Sequence, residues 1–243
     1  MLIAEITMSE FEKGLDLTRT IVLPFGSVEE HGPHLPLGTD TMQMYEIAKL
    51  AAKKRPLFVA PPVFYGLCRS TSEHPGTISI SGETLKGLAL DLLHSYFAQG
   101  LRNFLILSGH AGGTHLAYLI DAGEIFLRQK EEARVAVASI LDLLQMGARD
   151  LLETPNDSHA GEFETSLMEH FFPELVKGRA PEEYPHFPKP ILVRNKRKFW
   201  PGGVWGDPHR ASAQKGRLFA ERLAAVIVQL AEEIENFKED QNA

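Results

Sequence analysis

The chain has 243 residues and a single cysteine, Cys68. An internal disulfide is therefore impossible, and a zinc site built from several cysteines is excluded. No stretch reaches the ~18 uninterrupted apolar residues that a membrane-spanning helix needs. The first residues also lack a basic segment followed by an apolar core, the pattern of a secretory signal. From these absences we expect a cytoplasmic protein with no membrane partner.

Positive charge is also scarce. The sequence has 25 Lys and Arg against 32 Asp and Glu, a net charge of −7. This acidity disfavours nonspecific binding to nucleic acid or to an anionic membrane. Hydrophobic residues make up 44% and charged residues 23%, an ordinary globular composition. A chain of this length buries roughly 70% of its extended surface, and we expect one domain over residues 1–243.

Short apolar runs alternate with longer stretches of helical periodicity. The pattern predicts strands over 20–24, 57–60, 104–107 and 135–140, and helices over 41–54, 83–99, 114–129, 159–172 and 211–237. Strands separated by helices form βαβ units. The sequence therefore predicts an α/β fold of three layers, α/β/α, with a central, mainly parallel sheet.

The first cluster of chemically active residues follows the first predicted strand. Residues i and i+2 of an extended segment point the same way, so Glu29 and His31 share one side. A Gly- and Pro-rich loop then leads to Asp40, just before a helix. Two carboxylates and an imidazole suit Zn, Mn or Fe. Alternatively, Glu29 and Asp40 cap backbone amides, with Asp40 as a helix N-cap.

The second cluster, Ser-Gly-His-Ala-Gly-Gly over residues 108–113, follows the clearest strand. It lacks the spacing of dinucleotide-binding and phosphate-binding loops. His110 lies between glycines that allow a close backbone approach, which suits a metal ligand. A hydrogen-bonded loop histidine is the alternative. We expect His115, one residue into the next helix, to be structural.

The third cluster contains His159, Glu162 and Glu164. On a continuous helix Glu162 would lie beside His159. If His159 precedes the helix, Glu164 projects toward a common centre instead. A capping box between Ser158 and Glu162 is a further alternative. Because all three clusters adjoin predicted strands or helix starts, a shared site at the carboxyl ends of the strands is favoured.

The segment 26–40, Gly-Ser-Val-Glu-Glu-His-Gly-Pro-His-Leu-Pro-Leu-Gly-Thr-Asp, resembles the signature loop of the creatininase (creatinine amidohydrolase) family. Further motifs follow in the family's order: Glu-His-Pro-Gly-Thr at 73–77, the 108–113 and 159–166 segments, Gly-Val-Trp-Gly-Asp-Pro at 203–208 and Ala-Gln-Lys-Gly at 213–216. The resemblance covers about residues 20–220.

The resemblance implies a creatininase-like fold with two divalent ions per chain, Zn, Mn or Fe. It implies that water activated between these ions cleaves a C–N bond in a small amide or formamide. Glu29, His31, Asp40 and His110 look like metal ligands, with Asp40 bridging the ions. His159 looks like the group that donates a proton to the leaving nitrogen.

Two positions depart from the family pattern. Creatinine-cleaving members have an acid where this chain has Gly112, which argues against creatinine as the substrate. Glu164 then becomes the candidate for the missing carboxylate, either as a ligand or as a catalytic group. The second departure is Glu30, where the family usually has Gln. Relatives with the Gly-Gly form include pyrimidine-intermediate deformylases and peptide-trimming enzymes.

His74, Gly112 and Trp205 are the candidate substrate contacts. For His74 a turn-stabilising role is equally consistent with the sequence, and for Trp205 packing in the interior is the favoured alternative. The competing functional hypotheses are a single-metal peptidase or peptide-trimming enzyme, and a non-catalytic small-molecule-binding protein of the same fold. The resemblance also suggests a homo-oligomer, a hexamer among the possible forms.

Overall fold

The protein is described by a computed structural model that covers residues 1–238. Four strands form one sheet: β1 (Thr20–Phe25), β2 (Phe58–Val59), β3 (Asn103–Ser108) and β4 (Arg134–Ser139). Their order is β2-β1-β3-β4, and every neighbouring pair is parallel. In register, Phe25 at the end of β1 lies beside Ser108 at the end of β3. The loops that follow these two strands therefore start side by side.

The described residues form seven α-helices around the sheet: α1 (Met8–Leu15), α2 (Thr39–Lys54), α3 (Gly82–Ala98), α4 (Gly113–Leu127), α5 (Ile140–Gly147), α6 (Glu162–Phe171) and α7 (Ala213–Asn236). Single 3-10 turns occur at Ile3–Glu5, Arg149–Leu151, Pro173–Leu175, Lys196–Lys198 and Pro208–Arg210. In residues 1–238, no helix combines the length and the apolar character that crossing a membrane requires.

Side chains of β1 and β3 alternate between two hydrophobic cores, one on each face of the sheet. Val22, Leu105 and Leu107 pack with residues of α2, α5, α6 and α7. Ile21 and Phe104 face the other way and pack with residues of α3 and α4. Both central strands are buried along their whole length, as expected where helices cover both faces of a parallel sheet. The predicted three-layer α/β/α fold is confirmed.

The predicted strands and long helices are found within about two residues of their expected bounds, with one exception. The helix predicted to start at His159 starts at Glu162. Ala160 has φ +49°, a left-handed conformation that interrupts the helical path. The periodicity analysis missed α1 and α5, which are eight residues long and begin with capping boxes, Thr7 with Glu10 and Ser139 with Asp142.

Candidate metal centre

The end of the sheet brings the first two clusters together. Glu29 and His31 come from the loop after β1, and His110 comes from the loop after β3. Asp40 lies in the first turn of α2. A Cβ at Gly109 would collide with the carbonyl oxygen of Asp40, so only glycine permits this approach of the β3 loop to α2.

Asp40 lies between two histidines. Its Oδ1 is 3.0 Å from Nε2 of His31, and its Oδ2 is 3.3 Å from Nδ1 of His110. The hydroxyl of Ser27 donates to Oδ2. Asp40 is not the N-cap of α2, because the helix begins at Thr39 with Gly38 at the cap position. The carboxylate thus turns one oxygen toward each imidazole.

The first set of possible ligands, which we call the Glu29 group, consists of Glu29, Cys68 and His110. Its ligand atoms lie within 4.8 Å of one another. A Glu29 Oε2 atom lies 2.7 Å from Nδ1 of His110. The Ser27 hydroxyl oxygen lies 3.2 Å from the same oxygen, and Thr71 donates to the other. The carboxylate is therefore fixed by neutral hydroxyl groups and aimed at the histidine.

The second set, the His31 group, consists of His31, His159 and Glu164, again within 4.8 Å of one another. Nε2 of His31 lies 3.6 Å from Oε2 of Glu164. Glu164 accepts from the Gln43 side chain at 3.0 Å and from the Ala160 backbone N–H at 2.7 Å. Both of its oxygens are therefore held in place.

Backbone carbonyls orient the two histidines nearest to Asp40. Nδ1 of His31 lies 3.1 Å from the Glu29 carbonyl, and Nε2 of His110 lies 3.2 Å from the Leu67 carbonyl. A carbonyl only accepts, so these nitrogens carry hydrogen and donate. The opposite nitrogens, which face the carboxylates, are then the ones free to bind a metal, as in metal sites generally.

Charges within the cluster decide its protonation without a metal ion. Burial alone lowers the pKa of His31, but the charges of Asp40 and Glu164 raise it to about 10. Burial likewise lowers the pKa of His110, and Glu29 and Asp40 raise it well above its usual value. Burial raises the pKa of Glu29, yet the charge of His110 lowers it to about 2. Glu29 is therefore ionised at neutral pH.

These donors fit a divalent metal. Glu29, Asp40 and Glu164 are nearly inaccessible to solvent, at 2%, 1% and 3% exposure. Among the described residues that line the adjoining cavity, none is a lysine or an arginine. Buried carboxylates need positive charge close by, and imidazole with carboxylate is a set that Zn, Mn and Fe accept.

His159 reaches this centre from outside α6. Its backbone pairs with Trp205, whose N–H donates to the His159 carbonyl at 2.7 Å. The Ser158–Glu162 capping box is wrong, because the Asp157 carboxylate accepts from the first N–H groups of α6 instead. Since His159 precedes the helix, Glu164 projects from the first turn toward the common centre, as one of the sequence alternatives required.

The His159 ring is held between several neighbours. Its centroid lies 4.2 Å from that of His31, and its Nε2 lies 2.8 Å from the Glu30 carbonyl. The Glu30 side chain contacts its own loop and His159: its Oε2 accepts from the Gly32 N–H, and its Oε1 lies 3.6 Å from Nε2 of His159. Burial lowers the pKa of His159, but Glu30 and the nearby carboxylates raise it above its usual value.

A cavity of about 190 Å³ opens onto both groups. Gly112 and Trp205 lie on its wall together with Trp200 and Ser70. His74 does not belong to that lining. It is buried behind Trp200, with its Nε2 2.7 Å from the Trp200 carbonyl, so any effect of His74 on a substrate would pass through Trp200. His115 is buried, and its Nδ1 accepts from the Leu67 N–H, in agreement with a structural role.

Sequence reasoning missed several residues of this centre. These are Ser27, Gln43, Cys68, Thr71 and Trp200. Gln43 has a readable signal, because it follows Asp40 by one helical turn and so shares its face. Thr71 and Cys68 have none, since the loop that carries them shows no periodicity.

Comparison with known proteins decides the family. The family model for creatininase, described as creatinine amidohydrolase, matches residues 4–231. The chain belongs to the creatininase family. It is 31% identical over 228 residues to the mycofactocin precursor peptide peptidase of Mycobacterium ulcerans, covering 87% of this chain and 84% of that protein. It is 25% identical over 241 residues to the creatinine amidohydrolase of Pseudomonas putida, covering 90% and 91%.

Solved creatininase structures share the fold. The structure named creatininase Mn superposes with a TM-score of 0.83 at 25% identity and covers 96% of this chain and 98% of its own. This creatininase-family chain is therefore a hydrolase of that family, with two groups of possible metal ligands.

At Gly112, a Cβ would collide with Nε2 of His110. An acidic side chain therefore does not fit there while the ring keeps its bond to Leu67.

Proposed function

We propose that this protein is a metal-dependent amidohydrolase that uses two divalent ions to hydrolyse a C–N bond in a small amide or formamide. One observation carries the proposal. Asp40 directs one carboxylate oxygen toward His31 and the other toward His110. A carboxylate in this position can bridge two ions, one bound with the Glu29 group and one with the His31 group.

In this proposal, different residues of the chain bind each of the two ions. Glu29, Asp40 and His110 would hold one ion, and His31, Asp40 and Glu164 would hold the other. When bound, two such ions supply the acidity that makes water nucleophilic at neutral pH, and they polarise an amide carbonyl. Glu164 acts as a ligand rather than as a proton shuttle, because the Gln43 amide and the Ala160 N–H restrain both of its oxygens.

His159 handles the proton. Its Nε2 faces the Glu30 carbonyl and so keeps a hydrogen. Its Nδ1 is then the atom that receives a proton and delivers it to the departing nitrogen, a role that commonly contributes about 10²–10⁴-fold to rate. Trp200 meets the His159 ring edge-on at a centroid distance of 5.1 Å. This packing limits rotation of the ring.

The cavity limits what enters. At about 190 Å³ it is smaller than the ~300–1,000 Å³ typical of pockets that enclose drug-sized ligands. It accepts a compact molecule, or the end of a longer one. The two tryptophans supply flat apolar walls, and no lining residue of the described chain supplies a fixed positive charge. A neutral, planar amide group fits this composition best.

Trimming of a peptide is the second candidate function. The 31% identity to a precursor peptide peptidase over most of both chains favours it. A peptide end would use the same residues, with the amide of the chain's terminal unit placed where the small amide lies in the first proposal.

A metal count combined with a substrate panel tests both candidates. The full-length protein, loaded with zinc or manganese and freed of excess metal, should hold close to two ions per chain by plasma mass spectrometry. A panel of a cyclic amide, an aryl formamide and a short peptide should give turnover on one of the first two. Peptide turnover alone would favour the second candidate. Full activity after exhaustive chelation would contradict both.

A further inference from the structure

The only cysteine of the chain lies in the candidate metal centre. The ligand atoms of Cys68, Glu29 and His110 are within 4.8 Å of one another, and all three residues are buried. Cys68 is 1% exposed, yet it belongs to none of the hydrophobic clusters found in residues 1–238. A buried thiol in an apolar core would be inert, but this one adjoins a carboxylate and an imidazole.

The backbone around Cys68 is fixed to the residues of the centre. The Leu67 carbonyl accepts from Nε2 of His110 at 3.2 Å, and the Leu67 N–H donates to His115 at 3.2 Å. The Cys68 N–H donates to the Ser79 hydroxyl at 2.9 Å. The same short segment orients His110 and carries the thiol. The position of the Cys68 sulfur relative to the His110 ring is therefore fixed.

We propose that the Cys68 thiolate binds the ion held by Glu29, Asp40 and His110. The inference rests on the metal centre proposed above and makes it unsymmetrical. The ion at the Glu29 group has nitrogen, oxygen and sulfur ligands, whereas the ion at the His31 group has nitrogen and oxygen only. On binding, the S–H bond breaks, its proton leaves to solvent, and the sulfur lone pair forms the bond to the metal.

Sulfur changes which metal the centre selects. Thiolates favour zinc and other thiophilic ions, while carboxylate and water suit manganese and magnesium. The Glu29 group should therefore retain zinc when offered both zinc and manganese, and the His31 group should exchange the two more freely. A preparation exposed to both metals would then hold a mixed pair.

X-ray absorption at the zinc edge tests the sulfur ligand directly. Zinc–sulfur distances are about 2.3 Å, distinct from about 2.0–2.2 Å for nitrogen and oxygen. The zinc-loaded wild-type chain should show one sulfur for every two zinc ions. Since the chain has one cysteine, Cys68→Ser should lose that sulfur shell. Arg69→Ala, an exposed neighbour on the same segment, serves as the matched control and should keep it.

A competition experiment supplies a second measurement. Wild type, Cys68→Ser and Arg69→Ala are equilibrated with equal zinc and manganese, and bound metals are counted. We expect Cys68→Ser to lower the zinc-to-manganese ratio at least about tenfold, the scale on which groups around a site alter metal affinity. Arg69→Ala should match wild type.

The possible results separate this inference from the proposed function. Two zinc ions per wild-type chain with only nitrogen and oxygen neighbours would overturn the cysteine ligand and leave the amidohydrolase proposal standing. Failure of the wild-type chain to bind metal would overturn both. If Cys68→Ser does not fold, the wild-type spectrum alone still decides, because no other thiolate exists in the chain.

Discussion

The Glu29 group and the His31 group share Asp40 but differ in what surrounds them. Hydroxyl groups of Ser27 and Thr71 fix the Glu29 carboxylate, and the third member of that group is a buried thiol. The His31 group instead contains His159, which lies before the start of α6, meets Trp200 edge-on and lines the cavity. One side consists only of potential ligands, and the other combines ligands with a group able to move a proton. The comparison indicates that the Glu29 group serves only to bind an ion, whereas the His31 group also carries the residue suited to proton transfer.

Replacing the shared residue should have the largest effect. Asp40→Asn removes the charge that faces both histidines, so we expect loss of both ions and of all measurable turnover. Metal content by plasma mass spectrometry and activity on the best substrate provide the measurement. Asp121→Asn, a half-buried aspartate on α4 that pairs with Lys86 far from the centre's ligands, is the control and should leave both unchanged. Retention of one full ion by Asp40→Asn would show that the two groups are independent of their shared carboxylate.

Two variants within the His31 group should distinguish residues that bind the metal from the residue that transfers the proton. His159→Ala should keep both ions and lose about 10²–10⁴-fold in kcat, the usual contribution of proton transfer. His31→Ala should lose metal along with activity. If His159→Ala also loses an ion, His159 is a ligand, and the division between the two sides fails.

A methyl group at Gly112 should disturb the Glu29 group alone. Its Cβ would collide with Nε2 of His110 and break the bond to the Leu67 carbonyl. Loss of such an orienting contact weakens metal binding about 10–100-fold. Zinc titration of Gly112→Ala should show this loss for one of two ions. Gly113→Ala is a matched control, because nothing lies within 4 Å of the Cβ it would add. Equal weakening in both variants would contradict the collision.

Proton release gives the smallest signal and still distinguishes the groups. In chelated protein at pH 8, His31, with a pKa of about 10, is protonated, and Glu29 and Asp40 favour the protonated form of His110 by raising its pKa well above the usual value. Metal binding displaces the protons that face the carboxylates on these two imidazoles, and the number released should fall as the pH rises through the pKa of His31. Calorimetry in buffers of different ionisation enthalpy counts them. In the cysteine-ligand proposal, wild type also releases the proton of the Cys68 thiol. Cys68→Ser should therefore release one fewer proton than wild type.

Much of the fold follows from local sequence. Buried runs such as those at β1 and β3 and the periodicity of α2, α3 and α7 predict the sheet and its covering layers. Helices α1 and α5 were not predicted, because eight residues give too few turns for a clear hydrophobic period. Their capping residues, Thr7 and Ser139, nevertheless carry a sequence signal for a helix start. The helix start at residue 159 was misplaced, since nothing local reveals the left-handed Ala160.

The candidate ligands followed from residue type and position. Alternation in the loop after β1 places Glu29 and His31 together, and the parallel sheet brings His110 to the same end. Their mutual distances support that expectation. For His74 the sequence left a substrate contact and a structural role open, and its hydrogen bond goes to the carbonyl of Trp200.

The sequence by itself determined the layered α/β fold, the order of the motifs and the chemical type of most groups at the end of the sheet. Those properties depend on periodicity and on neighbours within one loop. Only the tertiary structure decided that Asp40 lies between two separate groups, that Glu164 enters from α6, and that Cys68 lies beside Glu29 and His110. These residues come from segments far apart in the chain, and their proximity results from packing against the sheet, which no local pattern encodes.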